Sequence, residues 1–82
     1  MEFEWDEAKN RANRAKHGFD FTHAIRIFVG SVRRHLDQRP WAEERFVATG
    51  LVEGRFVTVV YTVRGDRYRI ISARLARRKE RF

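Results

Sequence analysis

Two β-rich runs joined by a short turn fill residues 56–74, and they constrain the fold more than any other part of the chain. The first run, FVTVVYTVR, and the second, RYRIISAR, are dominated by β-branched and aromatic residues. Gly65 and Asp66 between them are typical of a tight hairpin turn. The sequence therefore predicts a β-hairpin at the centre of a small antiparallel sheet.

Most of the positive charge follows the same segment. From residue 64 to residue 82 there are eight Arg or Lys side chains and two acidic ones, which is six of the formal net charge of +7. Arginine outnumbers lysine by 15 to 3 in the whole chain, and guanidinium groups bind phosphate oxygens in pairs. The charge predicts a polyanionic partner, with nucleic acid as the first candidate; an arginine-rich composition that only keeps the protein soluble is the alternative.

The length indicates one domain over residues 1–82. We expect the protein in the cytoplasm, for the reasons that follow. No cysteine is present, so neither a disulfide framework nor a cysteine metal site is expected. The amino-terminal MEFEWD is acidic where a signal peptide would be basic, and no apolar run approaches 18 residues. We expect a soluble protein without a membrane partner.

Two short helices are predicted ahead of the sheet. Asp6 is a good N-cap and Gly18 a left-handed stop, so the first helix should span residues 7–17. Alanines at helical spacing predict a narrow buried stripe on it, formed by Ala8, Ala12 and Ala15. A second helix ending at Gly30 is predicted by the spacing of Phe21, Ala24, Ile25 and Phe28.

The remaining segments read as strands and a tail. Residues 31–37 form a weak edge strand, residues 45–52, 55–63 and 68–75 form an antiparallel meander, and residues 76–82 form a short basic helix. The predicted class is α+β: two N-terminal helices packed on a three- to four-stranded antiparallel sheet, with a short C-terminal helix.

Several motifs in the order of the chain resemble the BrnT toxin family. They are FEWD at residues 3–6, KHG at 16–18, ER at 44–45, YTVRG at 61–65 and RIISAR at 69–74, followed by Arg77 and Glu80. The resemblance implies a RelE-like fold and a ribonuclease activity that arrests translation. It also implies neutralisation by a cognate, DNA-binding, BrnA-like antitoxin, through which the complex would bind its own operator.

Cleavage of RNA without a metal ion needs a base for the 2′-OH, cations for the phosphorane charge and an acid for the leaving oxygen. The predicted cations are Arg64, Arg69 and Arg74, with Lys16 beside them. Ideal alternation puts Arg69 and Arg74 on opposite faces of the last strand, so the three arginines converge only if that strand bends or ends. The alternative is that they are solvated charges or antitoxin contacts.

The first candidates for proton transfer are His17, Tyr61 and Glu80, and Glu43 and Glu44 rank behind them. His17 is a candidate because histidine suits either direction of proton transfer, although a histidine in a last helical turn often only interacts with the helix terminus. Tyr61 alternates with valines, which favours a core position over a phosphate contact. Glu80 lies among arginines and favours salt bridges.

Further RNA contacts are predicted for Arg67, Arg77, Arg78 and Trp41, the last by stacking on bases. The three histidines, His17, His23 and His35, lack a paired metal spacing, so neither a metal nor another cofactor is expected. Two rival functions stay open: a nucleic-acid-binding module without catalysis, and a domain that only docks an acidic partner.

Overall fold

The computed structural model describes residues 1–82. In chain order its elements are β1 (Glu2–Glu4), α1 (Glu7–His17), α2 (Phe21–Ala24), a 3-10 helix (Ile25–Val29), β2 (Arg33–Leu36), β3 (Phe46–Val52), β4 (Arg55–Arg64), β5 (Arg67–Leu75) and a 3-10 turn (Arg78–Glu80). No helix is long and apolar enough to cross a membrane.

The five strands form one mixed sheet in the order β1-β5-β4-β3-β2. Four strands are antiparallel neighbours, and β1 pairs in parallel with β5, with Phe3 opposite Tyr68. The α+β class is confirmed, but the prediction of three or four antiparallel strands is wrong. A strand of three residues is too short to display alternation, and its partner lies near the other end of the chain.

The first helix has the expected bounds. Asp6 accepts hydrogen bonds from the backbone N–H groups of Ala8 and Lys9, and Gly18 closes the helix with a φ of 80°. Its buried residues, however, are Asn10 and Asn13. The predicted alanine stripe of Ala8, Ala12 and Ala15 is wrong, because all three are exposed.

Asn13 connects α1 to the sheet. Its side-chain amide donates to the carbonyl of Ala73 at 2.8 Å and accepts from the N–H of the same residue at 3.1 Å. β1 pairs only with Arg67–Arg69, so the later part of β5 has no strand on that side. The asparagine thus supplies the hydrogen bonds that a neighbouring strand would make.

The predictions of a second α-helix and of a C-terminal helix are both wrong. A single α turn, α2, passes into a 3-10 helix, and its fully buried residues Phe21, Ala24 and Ile27 follow the three-residue period of a 3-10 helix. β-Branched residues disfavour a longer α-helix here. The C-terminal segment has only the 3-10 turn, because its basic residues form no apolar face to pack.

The helices cover one face of the sheet, where the hydrophobic core lies. The core side chains from the sheet include Ala48, Val57, Val59, Tyr61, Ile70 and Ala73. The opposite face, called the helix-free face below, carries the other set of alternating residues. A close approach occurs at Gly50, where an added Cβ would lie 2.9 Å from the Cβ of Ile27.

Candidate functional site

A β-bulge in β5 places the predicted arginines on the helix-free face. Tyr61 pairs with Ile70 and Val60 pairs with Ser72, so Ile71 has no partner on β4. As a result Arg69 lies opposite Thr62 and Arg74 opposite Thr58, and both side chains share the face of Arg64. The three arginines therefore share one face, but they do not converge on one point, because Thr58 and Thr62 are four residues apart on β4.

Arg64, Arg69 and Arg74 each have a carboxylate partner. Arg64 binds Glu43 at 3.2 Å in an exposed pair, and Arg69 binds Glu4 at 2.7 Å. Arg67 lies within 4 Å of both Glu2 and Glu4. Acidic residues from the N-terminal strand and from the loop before β3 thus neutralise much of the charge of the hairpin.

Glu80 binds Arg74 in a bidentate ion pair. The carboxylate accepts two hydrogen bonds from Arg74, at 2.7 and 3.0 Å, one from the Thr58 hydroxyl at 3.3 Å and one from the Arg77 N–H at 2.7 Å. The hydrogen bonds from Arg74, followed by that from the Arg77 N–H, lower the pKa of Glu80 to about 2, against an opposing effect of burial.

Residues 76–82, called the tail below, lie across the helix-free face. The Ala76 N–H donates to the Phe56 carbonyl, and the Phe82 ring packs 5.3 Å from the ring of Phe56. The guanidinium of Arg33, on β2, lies 5.0 Å from the Phe82 ring centre. The tail therefore spans from β5 to the edge strand β2.

A groove with two clefts runs along the tail. The larger cleft, about 510 Å³, lies between the tail and the loop after β2, and it is lined by His35, Asp37, Gln38, Arg39, Val47, Val60, Ser72, Arg74, Arg77 and Glu80. Its floor is the row Val47, Val60 and Ser72, with His35 at the β2 end. The smaller cleft, about 320 Å³, lies on the other side and shares His35, Arg77 and Glu80.

His35 lines the groove and can transfer a proton, but it was not among the catalytic residues predicted from the sequence. It pairs with Val47 and points to the helix-free face, whereas Arg34 and Leu36 point to the helix-covered face. The sequence did contain a signal for this position: alternation along β2 puts Arg33 and His35 on one face and Arg34 and Leu36 on the other. His35 is the one imidazole near Arg74 and Arg77 in the groove.

Five of the six residues predicted as catalytic line neither cleft: Lys16, His17, Tyr61, Arg64 and Arg69. Lys16 and His17 are exposed at the end of α1, and neither lines either cleft. Tyr61 is 1% exposed on the helix-covered face, where its hydroxyl accepts a hydrogen bond from Arg34 at 3.1 Å. Burial raises the pKa of Tyr61 to about 12. The structure does not bring these side chains together with Arg74.

The predicted RNA contacts divide in the same way. Arg77 lines both clefts, whereas Arg67 is paired with acids and Arg78 is exposed outside the groove lining. Trp41 stacks with two guanidinium groups, 3.7 Å from Arg45 and 4.8 Å from Arg39, and its indole N–H donates to Asp37 at 3.0 Å. Its ring is therefore already engaged within the loop.

Asp37 orders the loop that forms one wall of the larger cleft. It accepts hydrogen bonds from the Arg39 side chain, the Trp41 indole and the Arg39 N–H, and these bonds hold the pKa of its carboxyl well below the usual range. No group of three His, Asp or Glu side chains is placed to hold a metal ion.

Comparison with known proteins identifies similar chains. The family model described as "Ribonuclease toxin, BrnT, of type II toxin-antitoxin system" matches residues 5–80. Among solved structures, the Brucella abortus ribonuclease toxin BrnT matches with a TM-score of 0.74 and 31% sequence identity, covering 95% of this chain and 99% of that one. No curated protein matches. Both matches agree with the resemblance inferred from the sequence.

Proposed function

Because this chain belongs to the BrnT family of ribonuclease toxins of type II toxin–antitoxin systems, we propose that it is an endoribonuclease that cleaves RNA without a metal ion. The observation that carries the proposal is the groove on the helix-free face, where His35, Arg74 and Arg77 line one cleft of about 510 Å³. An imidazole can act as the general base of such a reaction, and two guanidinium groups can stabilise the charge of the phosphorane.

In the proposed reaction His35 accepts the proton of the 2′-OH as that oxygen attacks the adjacent phosphorus. The bond from phosphorus to the 2′ oxygen forms and the bond to the 5′ oxygen breaks. The leaving oxygen takes a proton from water, and the hydroxide that remains takes the proton that His35 accepted. Arg74 and Arg77 stabilise the extra negative charge of the phosphorane. The products are a 2′,3′-cyclic phosphate and a 5′-OH end.

Arg74 has to serve both Glu80 and the phosphate in this scheme. A guanidinium has five N–H donors, and two of the hydrogen bonds of Arg74 go to Glu80. Glu80 itself is a poor general base, because a carboxyl with a pKa of about 2 binds a proton weakly. Glu80 therefore positions Arg74 and the tail, and His35 transfers the proton.

Catalytic roles for His17, Lys16, Tyr61, Arg64 and Arg69 stay predictions from the sequence. Of these residues, His17 is the natural control for His35. Purified wild-type, His35→Ala and His17→Ala proteins are incubated with an RNA oligonucleotide in EDTA, and the new ends are mapped. We expect His35→Ala to slow cleavage by about 10²-fold or more, and His17→Ala to leave the rate close to the wild-type rate.

Three outcomes would overturn parts of this proposal. Loss of cleavage in His17→Ala but not in His35→Ala would move the proton transfer to the end of α1. Cleavage that stops in EDTA would refute metal independence. Wild-type protein that binds RNA and leaves it intact would support the binding-module alternative.

The partner follows from the same family. We propose that the toxin acts in the cytoplasm, that its cleavage of RNA inhibits translation, and that a cognate antitoxin neutralises it and binds the operator. A partner that covers the groove has to match its positive charge, so the complex should weaken as salt increases. A complex whose affinity does not change between low and high salt would argue against antitoxin binding over the groove.

A further inference from the structure

The smaller cleft, on the far side of the tail from the loop after β2, is lined by polar and charged residues only. Its lining residues are Arg33, His35, Thr49, Arg77, Lys79 and Glu80, around a volume of about 320 Å³. Arg33 comes from the edge strand β2, whereas Arg77 and Lys79 come from the tail. Two separate parts of the fold thus supply cations to one opening.

The cations of this cleft are free, in contrast to those of the hairpin. Arg33, Arg77 and Lys79 make no salt bridge, whereas Arg64, Arg69 and Arg74 each make one. The one acid in the lining, Glu80, is already bound bidentately by Arg74. The smaller cleft therefore has uncompensated positive charge.

Arg33 is oriented while its donors stay free. Its guanidinium carbon lies 5.0 Å from the Phe82 ring centre, and none of its side-chain N–H groups donates a hydrogen bond within the protein. The Thr49 hydroxyl, at the base of the cleft, hydrogen bonds to the Thr58 hydroxyl at 2.7 Å. The site has the guanidinium and ammonium donors that bind a phosphate.

The two clefts lie on opposite sides of the tail. Arg33, Thr49, Thr58 and Arg74 form one row across β2, β3, β4 and β5, so the backbones of Arg33 and Arg74 are three strand spacings, or about 14 Å, apart. A chain of linked phosphates that crosses the tail can therefore place one phosphate in each cleft.

We infer that the smaller cleft is a second phosphate subsite, in which Arg33, Lys79 and Arg77 bind a phosphodiester of the RNA strand that flanks the cleaved bond. This inference rests on the proposed function and extends it from one bond to the footprint of the substrate. The RNA strand runs along the groove from the larger cleft, past His35 and the tail, to the edge strand β2.

The test uses a 2′-O-methyl RNA dodecamer, which binds but lacks the attacking hydroxyl. Affinity is measured over a range of salt concentrations for wild type, for Arg33→Ala/Lys79→Ala, and for the control Lys9→Ala/Arg11→Ala, which removes the same charge from the exposed side of α1. For Arg33→Ala/Lys79→Ala, the slope of log affinity against log salt concentration should become less steep by about 0.7 for each lost phosphate contact. The affinity of this variant at low salt should be about tenfold below that of wild type. The control should keep the wild-type slope.

A second readout separates this inference from the proposed function. If wild type cleaves RNA through His35 but the double variant has the slope and affinity of the control, the subsite is wrong and the ribonuclease proposal stands. If wild type cleaves nothing but the double variant loses slope, the subsite stands and the ribonuclease proposal fails. Thermal unfolding of both double variants, each made at exposed positions, verifies that they are folded.

Discussion

Glu80 should make the stability of this protein depend on pH between pH 7 and pH 3. Its pKa is about 2 in the folded protein, against an ordinary value of 4.5, chiefly because Arg74 donates two hydrogen bonds to it. A carboxyl whose pKa is lowered by folding stabilises the protein fully above its unfolded pKa, and that contribution disappears as pH falls towards the folded pKa. At pH 3 the loss attributable to Glu80 is about 2 kcal/mol.

The experiment compares wild type with Glu80→Gln by urea unfolding at pH 7 and at pH 3. Other carboxyl groups also lose stability in acid, so the informative quantity is the difference between the two proteins in the change with pH. We expect the free energy of unfolding of Glu80→Gln to fall by about 2 kcal/mol less than that of wild type.

The matched control is Glu43→Gln, which removes a carboxylate from the exposed pair with Arg64. An exposed pair contributes little, so its pH dependence should stay within about 0.5 kcal/mol of the wild-type dependence. The reasoning fails if Glu80→Gln has the same pH dependence as wild type and as this control.

Three further predictions concern the scaffold of the site. Asn13→Ala should lower the free energy of urea unfolding by about 2–4 kcal/mol, because the main-chain groups of β5 lose their partners; a loss below about 0.5 kcal/mol would contradict this role. Gly50→Ala should cost about 1–3 kcal/mol in the same assay because its Cβ would meet Ile27, whereas Gly30→Ala, with open space around it, should be close to neutral. In an absorbance titration one tyrosine should ionise only near pH 12, and Tyr61→Phe should remove that step; a step that persists would assign it to another residue.

Local signals in the sequence were sufficient for several elements. The bounds of α1 follow from Asp6 and Gly18, whose capping roles depend only on neighbouring residues. The central hairpin follows from alternation and from Gly65, which has a φ of 61°. Each of these signals lies within a few residues of the element that it determines.

The buried side of α1 could not be predicted in this way. Alanines at helical spacing resemble a packing stripe, but the positions that face the protein are Asn10 and Asn13. The importance of Asn13 comes from Ala73, on a strand edge that β1 does not reach. The backbone of Ala73, 60 residues further along the chain, is what requires a polar side chain at position 13.

For a similar reason, the sequence indicated only some of the residues that line the candidate groove. The arginine-rich hairpin and tail were recognised, and Arg74 and Arg77 do line the groove. Composition could not tell which charges have partners, since the acids that bind Arg64 and Arg69 come from other parts of the chain. The bulge at Ile71 also reverses the face of one arginine relative to ideal alternation.

The parallel pairing of β1 with β5 has a consequence for the time at which the groove forms. A ribosome makes β1 early, but Phe3 cannot pair until Tyr68 has been made, and Glu80 reaches Arg74 later still. Contacts between distant parts of a chain form slowly, because a long loop has to close first. A nascent chain therefore has neither a complete sheet nor a groove, and the enzyme that we propose stays inactive until its own synthesis has passed the tail.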